Sequence, residues 1–294
     1  MCQRGPMKKP LTRKNRKPIF VLIIPRFEDL ANSFYAGEVT KGANIAASRL
    51  DVDILIHMVD RKDHAQWLEG LSDPTFIDGI LFADIDRDWD VVKKAIQASV
   101  PTMVLNNPST EPFNCIAIDN RASARQAVAY LVGLGHKKIA TVAGDLNTQA
   151  GQDRLEGYYD GMDAAGLPKD KKFVKKGGFL RTPARSAAQA LLKDKDRPTA
   201  IFAASDVMAF EIIDVAKSLN LKVPEDLSVV GFDNNLDAGE NGLKLVTFEQ
   251  PIVDMARLGI ESLYQMSLGL AKLPVKMLLE ARLVRGRSVT SIKG

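Results

Sequence analysis

At 294 residues, with 46% hydrophobic and 26% charged residues, the chain has about two domains' worth of globular sequence, which excludes a largely disordered or collagen-like protein. No stretch approaches the roughly 18 apolar residues that a membrane-spanning helix needs, so no membrane partner is expected; the run Ile19 to Ile24 is stopped by Pro25. The formal charge of +4 is unevenly placed, because residues 1–18 hold seven cations and no acid, which leaves −3 for the remainder.

Those cations are Arg4, Lys8, Lys9, Arg13, Lys14, Arg16 and Lys17, among Pro6, Pro10 and Pro18. Prolines break any helix along this stretch and it has too few apolar residues to pack, so residues 1–18 read as a disordered basic tail. Such a tail offers nucleic acid only weak, non-specific phosphate contact. It lacks the apolar centre of a secretory signal. The two cysteines, Cys2 and Cys115, form neither a disulfide framework nor a zinc cluster, and a cytoplasmic location is expected.

In chain order, short apolar runs alternate with segments of helical period, which is how parallel sheets with crossover helices read. Strands are predicted at Ile19–Ile24, Val52–Met58, Gly79–Phe82, Pro101–Leu105, Cys115–Ile118, Lys138–Ala143, Thr199–Ala203 and Leu227–Val230. Helices are predicted at Ser33 to Arg49, at Trp89 to Ala98 after an Asp88 cap, and at Ala122 to Leu134 before Gly135. A second series of α/β units starts at Lys138. Ligands of open parallel sheets bind at the carboxyl ends of the strands. Almost every predicted strand ends there in a polar group: Asp84, Asn106 and Asn107, Asp119, Gly144 and Asp145, Ser205 and Asp206, Asp233 and Asn234.

The carboxylates of Asp84 to Asp90 alternate as in a calcium loop, but Trp89 and Ala95 stand where that loop needs glycine and a bidentate glutamate. His57, His64 and His136 are too scattered for a metal site, and His136 reads as structural. No phosphate loop, dinucleotide fingerprint or nucleophile elbow is present, so neither cofactor nor metal is expected and catalysis is disfavoured.

Several segments in this order resemble the sensor region of LacI/GalR transcriptional repressors, over about residues 16 to 290. They are Asn32-Ser33-Phe34-Tyr35, Ile77-Asp78-Gly79-Ile80-Leu81, Ile118-Asp119-Asn120, and Tyr130 to Ala140 with Gly135-His136 at its centre. The match continues through Arg154-Leu155-Glu156-Gly157-Tyr158, Pro198 to Asp206, Val223 to Asp233, Phe248-Glu249-Gln250-Pro251 and Leu283-Val284-Arg285. The resemblance implies an α/β fold like that of periplasmic binding proteins, with two lobes, each a parallel sheet flanked by helices, and three crossings near His136, Gln250 and Pro274. The lobes would comprise residues 19–135 with 251–274, and 136–250 with 275–294.

Carried over residue by residue, the resemblance places the effector pocket at Phe34, Tyr35, Asp119, Arg154, Phe179, Ser205 and Asp233. A carboxylate accepts from neighbouring hydroxyls, a guanidinium donates in a fixed fork, and an aromatic face covers a sugar ring. Taken singly, Phe34 and Phe179 read by default as core, Asp119 and Asp233 equally well as caps, and Arg154 as the usual solvated helix arginine. Ser205 departs from the asparagine usual in the family, and a hydroxyl lacks an amide's separate donor and acceptor. Family members begin with a helix-turn-helix head and hinge helix, for which 18 residues leave no room. The expectation is a non-enzymatic, homodimeric sensor of a small molecule, a carbohydrate or sugar derivative, without its own DNA-reading head. A transport solute-binding protein, or an enzyme acting on a sugar derivative in the same cleft, are the alternatives.

Overall fold

The computed structural model describes residues 16–25, 33–59, 75–85, 89–108, 112–235 and 242–292. A first series of elements comprises β1 (Ile19–Pro25), α1 (Phe34–Leu50), β2 (Asp53–Val59), β3 (Gly79–Phe82), α2 (Trp89–Gln97), β4 (Thr102–Leu105), β5 (Cys115–Ile118) and α3 (Asn120–Gly133). A second comprises β6 (Ile139–Ala143), α4 (Gln149–Ala164), β7 (Val174–Lys176), α5 (Arg181–Leu192), β8 (Ala200–Ala203), α6 (Asp206–Ser218) and β9 (Ser228–Val230). The chain then runs through β10 (Thr247–Glu249), α7 (Ile252–Ser267), β11 (Lys276–Leu279) and β12 (Arg282–Val284). Among the described residues no helix is long and apolar enough to cross a membrane.

The strands form a six-stranded sheet of order β11-β5-β4-β3-β1-β2 and a four-stranded sheet of order β7-β6-β8-β9. Every pairing within these two sheets is parallel. Inner strands such as β1, β5 and β8 carry continuous apolar runs because helices cover both faces. Along β1, Phe20, Leu22 and Ile24 enter a core shared with α1 and α7, and Val21 and Ile23 enter a separate core under α2. Ser33 caps α1 by accepting the Ala36 N–H, and Asp51 ends the helix in the left-handed region at φ 53°. Gly42 on α1 lets α7 approach closely, since a Cβ there would lie 2.2 Å from the Val253 carbonyl oxygen.

The third crossing lies later than Pro274. Lys276–Leu279 pairs with β5 in register Lys276 to Cys115, so this segment belongs to the first sheet and not to the second lobe. Its alternation explains the placement, with Met277 and Leu279 packing on the first core, while Asn114 Oδ1 accepts the Val275 N–H at 2.8 Å. After Leu279 the chain passes to β12, which pairs antiparallel with β10. Bridges Val230–Val246 and Asp233–Glu249 attach that ribbon to the edge of the second sheet.

The tail assignment is corrected at its end. Arg16 Nη1 donates to Asp78 Oδ2 at 2.6 Å and is largely buried, Lys17 pairs with Asp51, and Ile19 N donates to the same Asp78 oxygen at 2.9 Å. Two ion pairs thus hold residues that composition assigned to a free tail. Residues 1–15, and the predicted Asp88 cap, lie outside the described residues. His136 is buried between the two series, with Nδ1 3.0 Å from Thr199 Oγ1 and Nε2 3.1 Å from the Thr290 carbonyl. It ties the first crossing to β8 and to the C-terminal segment. The short strand β7 went unpredicted because its sequence, Val174-Lys175-Lys176, has too little apolar signal.

Candidate effector site

Arg154 sits on α4, whose first turn is capped by Thr148 accepting the Gly151 N–H. The helix directs the guanidinium inward, where Nε donates to Asn120 Oδ1 at 2.9 Å and Nη1 donates to the Ala204 carbonyl at 2.6 Å and to Asp233 Oδ1 at 3.4 Å. Its carbon lies 3.7 Å from the centroid of the Phe232 ring and 5.6 Å from that of Phe179. Only 4% of the residue is exposed. A charge taken this far from water persists because a carboxylate, two carbonyl-type oxygens and an aromatic face replace its hydration.

Asp233 follows β9 with φ 109°, a left-handed conformation that turns its carboxylate toward Arg154. Gln250 Nε2 donates to the same Oδ1 at 2.6 Å. Burial pushes the Asp233 carboxyl up to about 6, against the opposing pull of Arg154 and the Gln250 bond. Asp206, at the start of α6, is more deeply buried. Its Oδ1 accepts Thr247 Oγ1–H at 2.6 Å and its Oδ2 accepts the Asn235 N–H at 2.7 Å. Burial and then the charge of Asp233 raise its carboxyl well above the ordinary range.

Phe179 adopts φ 63°, rare for an aromatic residue. Its ring lies against Gly144, where a Cβ would meet Phe179 Cζ at 2.1 Å, so the glycine ending β6 makes room for the ring. At the start of α1, Tyr35 donates its hydroxyl to the Ala83 carbonyl at 2.5 Å and accepts from Asn106 Nδ2 at 3.3 Å, both acceptor and donor lying just past strands of the first sheet. Its ionisation is suppressed first by burial and then by Asp84, and the charges of Arg154 and Asp233 also reach it. Tyr35, through Ala83 and Asn106, and the Arg154–Asp233 pair, through Ala204 and the segment after β9, each lie at the carboxyl ends of strands.

Of the predicted site residues, Arg154, Phe179 and Asp233 come together, and Tyr35 is near enough for the charges of Arg154 and Asp233 to act on it. Ser205 is adjacent through the Ala204 carbonyl, but its hydroxyl caps α6 by accepting the Met208 N–H at 3.4 Å. Asp119 is exposed and caps α3 by accepting the Ala122 N–H at 2.8 Å. Phe34 is half-buried against the first core. Asn106, Asn120, Asp206, Phe232 and Gln250 are part of the network and were not among the predicted site residues. Asn106 and Asp206 carried a signal as polar residues following strands; Asn120 and Gln250 join only through tertiary contacts with Arg154 and Asp233.

Residues 128–289 match the family described as periplasmic binding protein-like domain. The chain is 32% identical over 246 residues to the HTH-type transcriptional regulator DegA of Bacillus subtilis (strain 168), covering 82% of this chain and 71% of DegA. It is 30% identical over 257 residues to the HTH-type transcriptional regulator CelR of Thermobifida fusca, covering 86% of this chain and 75% of CelR. The solved complex of the transcriptional regulator CelR with cellobiose matches at a TM-score of 0.85 and 28% identity, covering 93% of this chain and 85% of that one. The chain belongs to the periplasmic-binding-protein-like family, among LacI-type transcriptional regulators. These relatives are regulators, not enzymes.

Proposed function

We propose that this chain is the effector sensor of a LacI-type transcriptional regulator and binds a carbohydrate or sugar derivative between two lobes, residues 19–135 with 251–279 and residues 136–250 with 280–292. The observation that carries the reading is the Arg154–Asp233 pair at strand ends, with Arg154 buried against Phe232 and near Phe179 and Asp233 partly exposed beside it. Nη2 of Arg154 makes no hydrogen bond among the described residues, which leaves it to donate to the ligand. The carboxylate of Asp233 accepts from ligand hydroxyls, and Phe179 covers the apolar face of a ring. Phe34, Asp119 and Ser205 complete the proposed lining. The sensor works as a homodimer, and the basic residues 1–15 add weak, salt-sensitive affinity for duplex DNA without reading its sequence.

Cellobiose, the ligand of the CelR complex, is the first probe, followed by other mono- and disaccharides. A ligand at one hundred times its Kd should stabilise the fold by about 2.7 kcal/mol, visible as a rise in melting temperature. Unchanged melting curves across neutral sugars, sugar acids, sugar phosphates and nucleosides would remove the reading's support.

A further inference from the structure

Positive charge has a second centre besides the first residues of the chain. Residues 166–199 hold ten lysines and arginines against three aspartates, a net +7; residues 19–294 together carry −3, so the rest of that span carries −10. The fold gathers these cations in one place. Lys138, directly before β6, and Lys172, in the turn before β7, share the carboxylate of Asp196, which precedes β8. Because β7, β6 and β8 are parallel neighbours, the three segments meet at the amino ends of the second sheet. Ala204 and Asp233 hold Arg154 at the other ends.

Around this junction Lys171, Lys175, Lys176, Lys193, Lys195 and Arg197 make no ion pair among the described residues. Lys175 and Lys176 stand on β7, the outermost strand of its sheet, and Lys193 ends α5, which packs against β6 and β7. A helix C-terminus favours Lys193, and lysines on an edge strand deter strand pairing. Neither effect accounts for Lys171, Lys195 and Arg197. Like charges held this close repel one another, and an anionic partner relieves that repulsion.

The surface between the cations narrows the partner. None of the large exposed hydrophobic side chains comes from residues 166–199. The centre of a protein–protein interface is apolar or aromatic and poor in lysine, whereas nucleic-acid interfaces are polar and strongly positive. β7 and β8 lie two strand spacings apart, about 10 Å. Duplex DNA carries a charge about every 1.7 Å of its axis, so cations flanking these strands meet several phosphates at once. Lysine is a point charge without arginine's planar fork, and it holds phosphates without reading bases.

We propose that the amino-end face of the second sheet, with the β7 edge, docks the phosphate backbone of duplex DNA, separately from the effector site and from residues 1–15. This face adds affinity and no sequence preference.

Anisotropy titrations of the full chain on two unrelated duplexes, over a series of salt concentrations, test this. Changing Lys171→Gln, Lys175→Gln, Lys176→Gln, Lys193→Gln and Lys195→Gln together should weaken binding about tenfold or more at low salt. The slope of log affinity against log salt should fall by about 3–4, equally on both duplexes. An equal number of exposed lysines changed elsewhere, Lys41→Gln, Lys93→Gln, Lys94→Gln, Lys217→Gln and Lys272→Gln, should cost about threefold or less. The first set should act undiminished in a chain whose Arg4, Lys8, Lys9, Arg13 and Lys14 are already glutamine. If melting curves show that the five changes unfold the protein, the exposed trio Lys171→Gln, Lys193→Gln and Lys195→Gln should still lower the slope by about 2. An equal loss from the two lysine sets overturns the inference, because net charge and not this face would then set affinity. An unchanged slope overturns it as well and leaves the β7 lysines as guards of a sheet edge. Binding to phosphatidylserine vesicles without binding to either duplex overturns it in favour of a membrane surface.

Discussion

The guanidinium of Arg154 lies 3.7 Å from the centroid of Phe232, while its Nη1 reaches Asp233. Arg154 thus holds together α4, α3 through Asn120, the end of β8 through Ala204, and the segment after β9. Arg154→Ala should abolish effector binding and also destabilise the unliganded fold, because Asn120, Ala204 and Asp233 lose their donor together. Asp233 limits the damage by taking up a proton, so the expected cost is about 2–3 kcal/mol at pH 7.5 and less at pH 5. Urea unfolding at the two pH values measures it, and an equal cost at both would mean Asp233 does not compensate.

The Asp233 carboxyl, raised to about 6 by burial, sets a pH dependence. The folded state binds this proton more tightly than the unfolded one, so the stabilisation is complete below the ordinary carboxyl value of 3.8 and is lost as pH rises through 6. Asp206, shifted in the same direction, adds to the slope. Asp233→Asn, neutral at every pH, should exceed wild type in unliganded stability by about 3 kcal/mol at pH 7.5, at about 1.4 kcal/mol per unit. The two should converge near pH 4. Thermal melts across this range provide the check, and a variant less stable at pH 7.5 would contradict the raised carboxyl.

The ring of Phe179 packs directly on Gly144. Gly144→Ala places a methyl where the ring now lies, and Phe179, with φ 63°, has little freedom to retreat without leaving its position near Arg154. Effector affinity should fall at least tenfold with a stability loss of about 1–3 kcal/mol. Gly144→Ala with Phe179→Leu should recover stability without recovering affinity. Full affinity in the single variant would show that the ring does not touch ligand.

Asp78 collects Arg16 and the Ile19 N–H at the entry to β1. Asp78→Ala leaves both donors without this acceptor and should cost about 2 kcal/mol. Tryptic cleavage after Arg16 or Lys17 should accelerate in the variant, as followed by intact mass, while sugar affinity is kept. Unchanged cleavage would mean that the ion pair does not hold this segment in solution.

Local sequence determined the units of the fold. Apolar runs such as Ile19–Ile24 and Lys138–Ala143 form strands within a residue or two of expectation, because strands buried on both faces need such runs and turns need Gly135 or Pro25 near their ends. Ser33 and Asp119 open helices through their own side chains, which is again local chemistry. The resemblance carried Arg154 and Asp233 to one site, as motifs 79 residues apart. Tertiary structure decided what those motifs touch. Met277 and Leu279 join the first sheet because β5 offers an open edge and a core face, which a window of β11 alone does not show. Arg16 leaves the basic tail because Asp78, 62 residues away, is waiting for it. Asp119 and Ser205 spend hydrogen-bonding capacity on helix caps, whereas Asn106, Asn120 and Gln250 keep unpaired amide atoms beside Tyr35, Arg154 and Asp233. A polar side chain's role depends on which of its donors and acceptors are already satisfied, and in this protein that was decided by partners from distant segments meeting between the two sheets.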